Sequence, residues 1–143
     1  MRIAASALAL MSVPLALPAA PAAERQLPAL ERVTIAQPPR AVVDFRLTDQ
    51  NGKPLRLSDL RGEPVLVFFG FTHCPNVCPA TLGVLKTTHA SKDRAVRRAR
   101  VVMISVDGER DTPEAMQAFL APISREFIGL TGDPKEVLEI ARQ

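Results

Sequence analysis

The sequence has no tryptophan and no tyrosine, and only six phenylalanines and two histidines. So few aromatic rings give no platform on which nucleotide bases could stack. Charge of one sign is also in short supply. A net charge of +3 and a pI near 9.3 are a mild basic balance, not the strong positive field of a nucleic-acid binder. No nucleic-acid partner is expected. Cysteine is as scarce as histidine, with two copies, Cys74 and Cys78. The length of 143 residues suits one domain.

Many of the thirteen prolines fall in the first forty residues. Met1 and Arg2 are followed by IAASALALMSVPLALPAAPAA, with no charge until Glu24. A positive start, an apolar core and small residues at the end predict a secretory signal peptide over 1–22, cleaved after Ala22 in an A-x-A context. The core from Ile3 to Leu17 falls short of the ~20 residues that span a bilayer, and three prolines disfavour a spanning helix. An uncleaved anchor is the alternative, which would associate the chain with a membrane through its N-terminus. No cysteine near the end of the segment offers a site for lipid attachment. Residues 23–40 read as an extended leader, and 41–143 as the folded domain. Export would place the cysteines where disulfides persist.

The domain reads as α/β. Val42–Leu47 predicts a short strand, Asn51-Gly52 a tight turn, and PLRLSDL the returning strand of a β-hairpin. VLVFFGF and VVMISVD are continuous apolar runs, the pattern of parallel strands buried on both faces. About thirty residues between them leave room for a crossover helix, hence a right-handed βαβ unit. That helix is expected to begin near Cys78 or Pro79. Its far end, KTTHASKDRAVRRAR, carries six basic residues and one acid, read as a solvated helix end rather than a docking patch. FIGLTG offers a further short strand. DTPEAMQAFLAPI and GDPKEVLEIARQ each open with a capping residue and an early proline, the former with Asp111 or Thr112 as cap.

Both thiols fall between a strand end and a helix start. Free N–H groups and partial positive charge there favour thiolate, which is both nucleophile and metal ligand. A bridge between Cys74 and Cys78 would close too short a loop to restrict the unfolded chain much, which argues against a merely structural disulfide. Two thiolates select soft ions, Cu(I) above all, whereas zinc usually takes four ligands. His73 is expected to hydrogen-bond beside the site, and His89, eleven residues past Cys78, to pack. Asp107, at the end of the second buried strand, either shapes the site or caps its own loop.

FFGFTHCPNVCPATL, then VVMISVDGERDTPE, then FIGLTGDPKEV, in this order, resemble the SCO/SenC family of thioredoxin-like copper chaperones of cytochrome c oxidase assembly. The resemblance runs from about Val42 to the end. It implies a thioredoxin-like, mainly parallel sheet with an N-terminal β-hairpin. Cys74 and Cys78 would be the copper-ligating, redox-active pair, His73 and Asp107 supporting residues, and copper, favoured as Cu(I), the bound ion. The implied partner is the copper-site subunit of cytochrome c oxidase or another copper or thiol protein. The implied location is the periplasm or the outer face of the inner membrane. Departures from the pattern are also plain. The family's third ligand, a histidine, lies in a loop beyond Gln143, as do the C-terminal β-hairpin and last helix, so an incomplete sheet is expected. Asn76 stands where the family usually has Asp. Gly108 stands where it usually has Pro, which is expected to loosen the loop after Asp107. Alternatives to a copper chaperone are an exported thiol-disulfide oxidoreductase, which needs no histidine, and a fragment without stable function.

Overall fold

A computed structural model describes residues 36–143. The signal-peptide segment lies outside the described residues, as does most of the leader; 36–40 carry neither helix nor strand. Pro39–Gln143 forms one compact unit.

The hairpin is built from β1 (Arg46–Asp49) and β2 (Pro54–Arg56). Its turn is held from within. The Asp49 carboxylate accepts the backbone N–H groups of Asn51 and Lys53, both at 2.8 Å, and Gly52 takes the positive φ of 74° that the turn requires. Counting back from that turn fixes the register as Thr48↔Pro54, Leu47↔Leu55 and Arg46↔Arg56. The first strand therefore sits later than Val42–Leu47, and Val42 and Val43 are left exposed. Turn chemistry, not the apolar run, decides the pairing.

A 3-10 turn (Leu57–Leu60) leads to β3 (Val65–Gly70). The crossover then runs through α1 (Val77–His89) and α2 (Arg94–Arg98) to β4 (Arg100–Ser105), which pairs parallel to β3 from Val65↔Arg100 to Gly70↔Ser105. The crossover is two helices where one was expected. The Asp93 side chain accepts the Ala95 N–H at 2.8 Å and starts a new helix, dividing the basic run. Next come α3 (Pro113–Leu120), β5 (Ile128–Thr131) and α4 (Pro134–Ala141). The Thr112 hydroxyl caps α3 and the Asp133 carboxylate caps α4.

The five strands lie in the order β2-β1-β5-β4-β3, with β3, β4 and β5 parallel, β1 antiparallel to β5, and β2 antiparallel to β1. β4 alternates between two cores. Val102 and Ile104 join Leu47, Leu60, Leu130, Val137 and Ile140 on the α4 side. Val101 and Met103 join Leu82, Met116, Leu120 and Phe127 on the side of α1 and α3. Burying one such leucine contributes about 2 kcal/mol.

The expectation that both apolar strands are buried on both faces holds for β4 only. Among the described residues β3 lies at the edge of the sheet, and Leu66, Val67 and Phe69 are exposed. The two runs have the same apolar character, but their places in the sheet order differ, and place decides burial. The Gly108 backbone lies so close to the Gly132 carbonyl that any side chain there would collide with it.

Candidate functional site

β3 and β4 run parallel, so their C-terminal ends emerge together, and the chain leaving β3 passes directly into Thr72, His73 and Cys74. Val106 donates to the Gly70 carbonyl at 2.9 Å and ties the two strand ends. The Cys74 N–H donates to the Phe71 carbonyl at 3.3 Å, turning the chain back toward α1. Asn76 occupies the cap position of α1 but makes no side-chain capping bond. The Cys74 sulfur takes that place, accepting the Cys78 N–H at 3.3 Å.

Two unbonded cysteines thus share one helix start in unequal surroundings. Cys74 is half-buried. A hydrogen bond from the Cys78 thiol, then the Cys78 backbone N–H, hold its thiol below the ordinary value against some desolvation, and the N–H groups of Asn76 and Val77 add to the effect. Cys78 is buried. Desolvation, and the hydrogen bond it gives to Cys74, push its thiol up, and the Phe71 N–H only partly offsets this. The Cys78 sulfur seats against the end of β3, where a Cβ on Gly70 would come within 3.2 Å of it. The pair is an outer thiol made more acidic and an inner thiol made less so.

Beneath the loop lies a carboxylate. Asp111 is fully buried. Its Oδ1 accepts the Thr72 hydroxyl at 2.6 Å. Its Oδ2 accepts the Thr72 N–H at 2.9 Å and the Ser105 hydroxyl at 2.6 Å. Burial pushes this carboxyl up, but the bonds from Ser105 and Thr72 outweigh it and leave it below the ordinary aspartate value. Asp111 thereby joins the end of β3, the end of β4 and the start of α3.

His73 is exposed, with Nδ1 3.0 Å from the Thr72 hydroxyl and 3.7 Å from Asp111 Oδ1. His89 is at the other end of α1, its Nε2 3.0 Å from the Ala99 carbonyl and its ring edge-on to Phe127. Asp107 caps its own loop. Its carboxylate accepts Arg110 Nε at 2.7 Å, and its carbonyl accepts the N–H groups of Arg110 and Asp111. The residue shaping the site from the β4 loop is Asp111, which the sequence offered only as a helix cap. One signal was available: Asp111 and Thr112 competed for a single cap, so one of them was free for other work.

Among the described residues no group of three or more His, Cys, Asp and Glu side chains is placed to share an ion. The soft donors at this site are two sulfurs. No described helix is long and apolar enough to cross a membrane.

An α/β sheet with helices on both faces, carrying a half-buried and a buried cysteine at the start of the helix after a parallel strand, defines a thioredoxin-like dithiol protein. The comparisons with known proteins narrow this class. The SCO1/SenC family model matches residues 33–143, and the chain belongs to that family. It is 38% identical over 103 residues to the mitochondrial SCO2 homolog of Mus musculus, covering 69% of this chain and 40% of that protein. It superimposes on Bradyrhizobium japonicum ScoI, solved with copper bound, at a TM-score of 0.63 and 39% identity, over 72% of this chain and 66% of that one. BsSco, described as a member of the Sco family of cytochrome c oxidase assembly proteins with a disulfide switch, matches at a TM-score of 0.58 and 32% identity, over 70% of this chain and 60% of that one. The chain spans about half the length of the curated relatives it matches.

Proposed function

We propose that the protein is a copper-binding chaperone of the kind that supplies cytochrome c oxidase, with Cu(I) as its cargo and Cys74 and Cys78 as its ligands. The observation that carries this is the Cys74 sulfur accepting the Cys78 N–H at 3.3 Å at the start of α1, which puts both cysteines at one helix end. Two adjacent thiolates form a soft donor set, which suits Cu(I) and needs no third ligand to be selective against hard ions. The relative solved with copper bound supports the same cargo. The delivery partner is the copper-site subunit of the oxidase or another copper or thiol protein. The apolar N-terminus supports export to the periplasm or the outer face of the inner membrane, by a cleaved signal over 1–22 or by an anchor. The test is titration of the reduced chain with Cu(I) against a competing chelator. About one Cu(I) per chain is expected, lost in Cys78→Ala. Failure to hold copper against a modest competitor rejects the proposal.

A second reading, thiol-disulfide exchange, rests on the asymmetry of the pair. The Cys74 thiolate attacks a disulfide sulfur and forms a mixed disulfide, releasing one substrate thiolate. Cys78, deprotonated, then displaces the second, so that the substrate gains two electrons and Cys74–Cys78 becomes a disulfide. The disulfide switch described for BsSco supports it. Turnover of a disulfide substrate by a chain that does not retain copper would favour this reading over the first.

A further inference from the structure

The dithiol lies at the C-terminal ends of β3 and β4. The opposite end of the sheet has a different character. There β4 begins at Arg100, and α2 presents Arg94, Arg97 and Arg98, all exposed. Lys86 on the last turn of α1 and Lys92 in the link to α2 are exposed as well. None of Lys86, Lys92, Arg94, Arg97 and Arg98 is among the ion pairs of the described residues; Arg100 pairs loosely with Glu63 at 3.8 Å. Arg97, Arg98, Arg100 and Arg125 line one open cleft, against only Glu63 and Glu126.

The chain enters the folded unit at the same end. Val42 lines a neighbouring cleft with Val65 at the start of β3, and Glu63 lines both clefts. Val42 and Val43 are 55% and 68% exposed. The basic groups, the two exposed valines and the entry of the chain therefore share one end. α1 runs from Cys78 in its first turn to Lys86 in its last, so about 12 Å of helix rise separates the dithiol from this end.

We infer that this end is a docking face for an anionic membrane surface, on which the arginines meet lipid phosphates while the dithiol points into the aqueous phase. An unpaired basic cluster attracts acidic headgroups, and arginine binds phosphate through its planar fork. Exposed valines next to the cluster suit the boundary between headgroups and acyl chains, whereas an acidic protein face would leave them against charge. The apolar run Ile3–Leu17 precedes the entry point in sequence. This inference does not depend on what the cysteines carry.

The test is flotation of the full chain with vesicles of phosphatidylcholine alone or with about a third phosphatidylglycerol, at low and high salt. The apolar N-terminus partitions into both vesicles, so the difference between them isolates the basic end. Partitioning at least about tenfold stronger on the anionic vesicles is expected, mostly lost at high salt. The variant Arg94→Glu, Arg97→Glu, Arg98→Glu should lose that difference. The variant Arg46→Glu, Arg56→Glu, Arg110→Glu changes net charge equally but lies toward the dithiol end and should keep it. Equal binding to both vesicles by the unaltered chain, or equal loss in both variants, overturns the inference. Should the α2 variant unfold by circular dichroism, the lipid and salt dependence of the unaltered chain decides alone.

Discussion

The Asp111 carboxylate accepts both the hydroxyl and the N–H of Thr72, at 2.6 and 2.9 Å, across 39 residues of sequence. Thr72 stands two positions before Cys74, so a buried charge on one loop sets where the outer cysteine of another begins. Replacing Asp111 by alanine takes the acceptor from the part-buried Thr72 N–H and from the buried Ser105 hydroxyl. A loss of about 2–4 kcal/mol is expected in urea unfolding, because an unsatisfied buried donor costs about 1–3 kcal/mol and a lost carboxylate acceptor more than a neutral one. Thr72→Val, which removes the hydroxyl's bonds to Asp111 and His73 but keeps the N–H bond, should cost less, about 1.5 kcal/mol. Equal costs for the two variants would show that Asp111 does not anchor the loop.

Acid should act through the same carboxylate. Its folded pKa lies below its unfolded value, so the native state holds fewer protons and the stabilisation is fully present above the ordinary aspartate range. It is lost as pH falls through the folded value, when the carboxyl protonates and can no longer accept three bonds as an anion. Stability measured from pH 6 down to about pH 2 should therefore fall more steeply in the unaltered chain than in Asp111→Asn. Parallel curves would place the acid sensitivity elsewhere, for instance at Asp49, whose carboxyl burial pushes up but its turn N–H groups hold low.

The two thiols should react at different rates. Cys74 is half-buried with its thiol held low, and Cys78 is buried with its thiol pushed up. Alkylation of the reduced chain near neutral pH, followed by peptide mass spectrometry, should label Cys74 at least about tenfold faster than Cys78. Cys78→Ala removes the thiol that donates to Cys74, so the pH midpoint of Cys74 alkylation should rise toward the ordinary thiol range. Faster labelling of Cys78 would reverse the assigned roles and with them the proposed order of disulfide exchange.

Much of this architecture was legible because local chemistry and tertiary structure agree. Asn51-Gly52, Thr112 and Asp133 each mark a turn or helix start where the chain makes one. The adjacency of Cys74 and Cys78 followed from strand, loop and helix start in succession. What was not legible depends on sheet order. Nothing within VLVFFG distinguishes an edge strand from a central one, so the exposure of Val67 required knowing that β3 lies outermost. Asp111 was missed for a related reason. A polar residue before a helix has a sufficient local explanation, and only the meeting of β3 and β4 reveals a second set of partners. The basic run was divided by Asp93, a single cap inside a stretch otherwise suited to one helix.

Two glycines offer a matched test of how closely the site is packed. A Cβ at Gly70 would come within 2.9 Å of the Phe68 ring and 3.2 Å of the Cys78 sulfur. Gly83, within α1, has nothing within 4 Å of its Cβ position. Gly83→Ala should therefore stabilise by about 0.5–1 kcal/mol, since it removes backbone freedom from the unfolded chain and fills open space on a helix. Gly70→Ala should destabilise by about 1–3 kcal/mol, because a close-packed site yields only by moving the ring or the sulfur. The consequence is not confined to stability. Displacing the Cys78 sulfur alters the hydrogen bond it gives to Cys74, so Gly70→Ala should also shift the dithiol reduction potential, which Gly83→Ala should leave in place. A potential unchanged in both variants, despite the expected stability loss at position 70, would mean that the Phe68 ring moves and the seat of the inner sulfur is not set by Gly70.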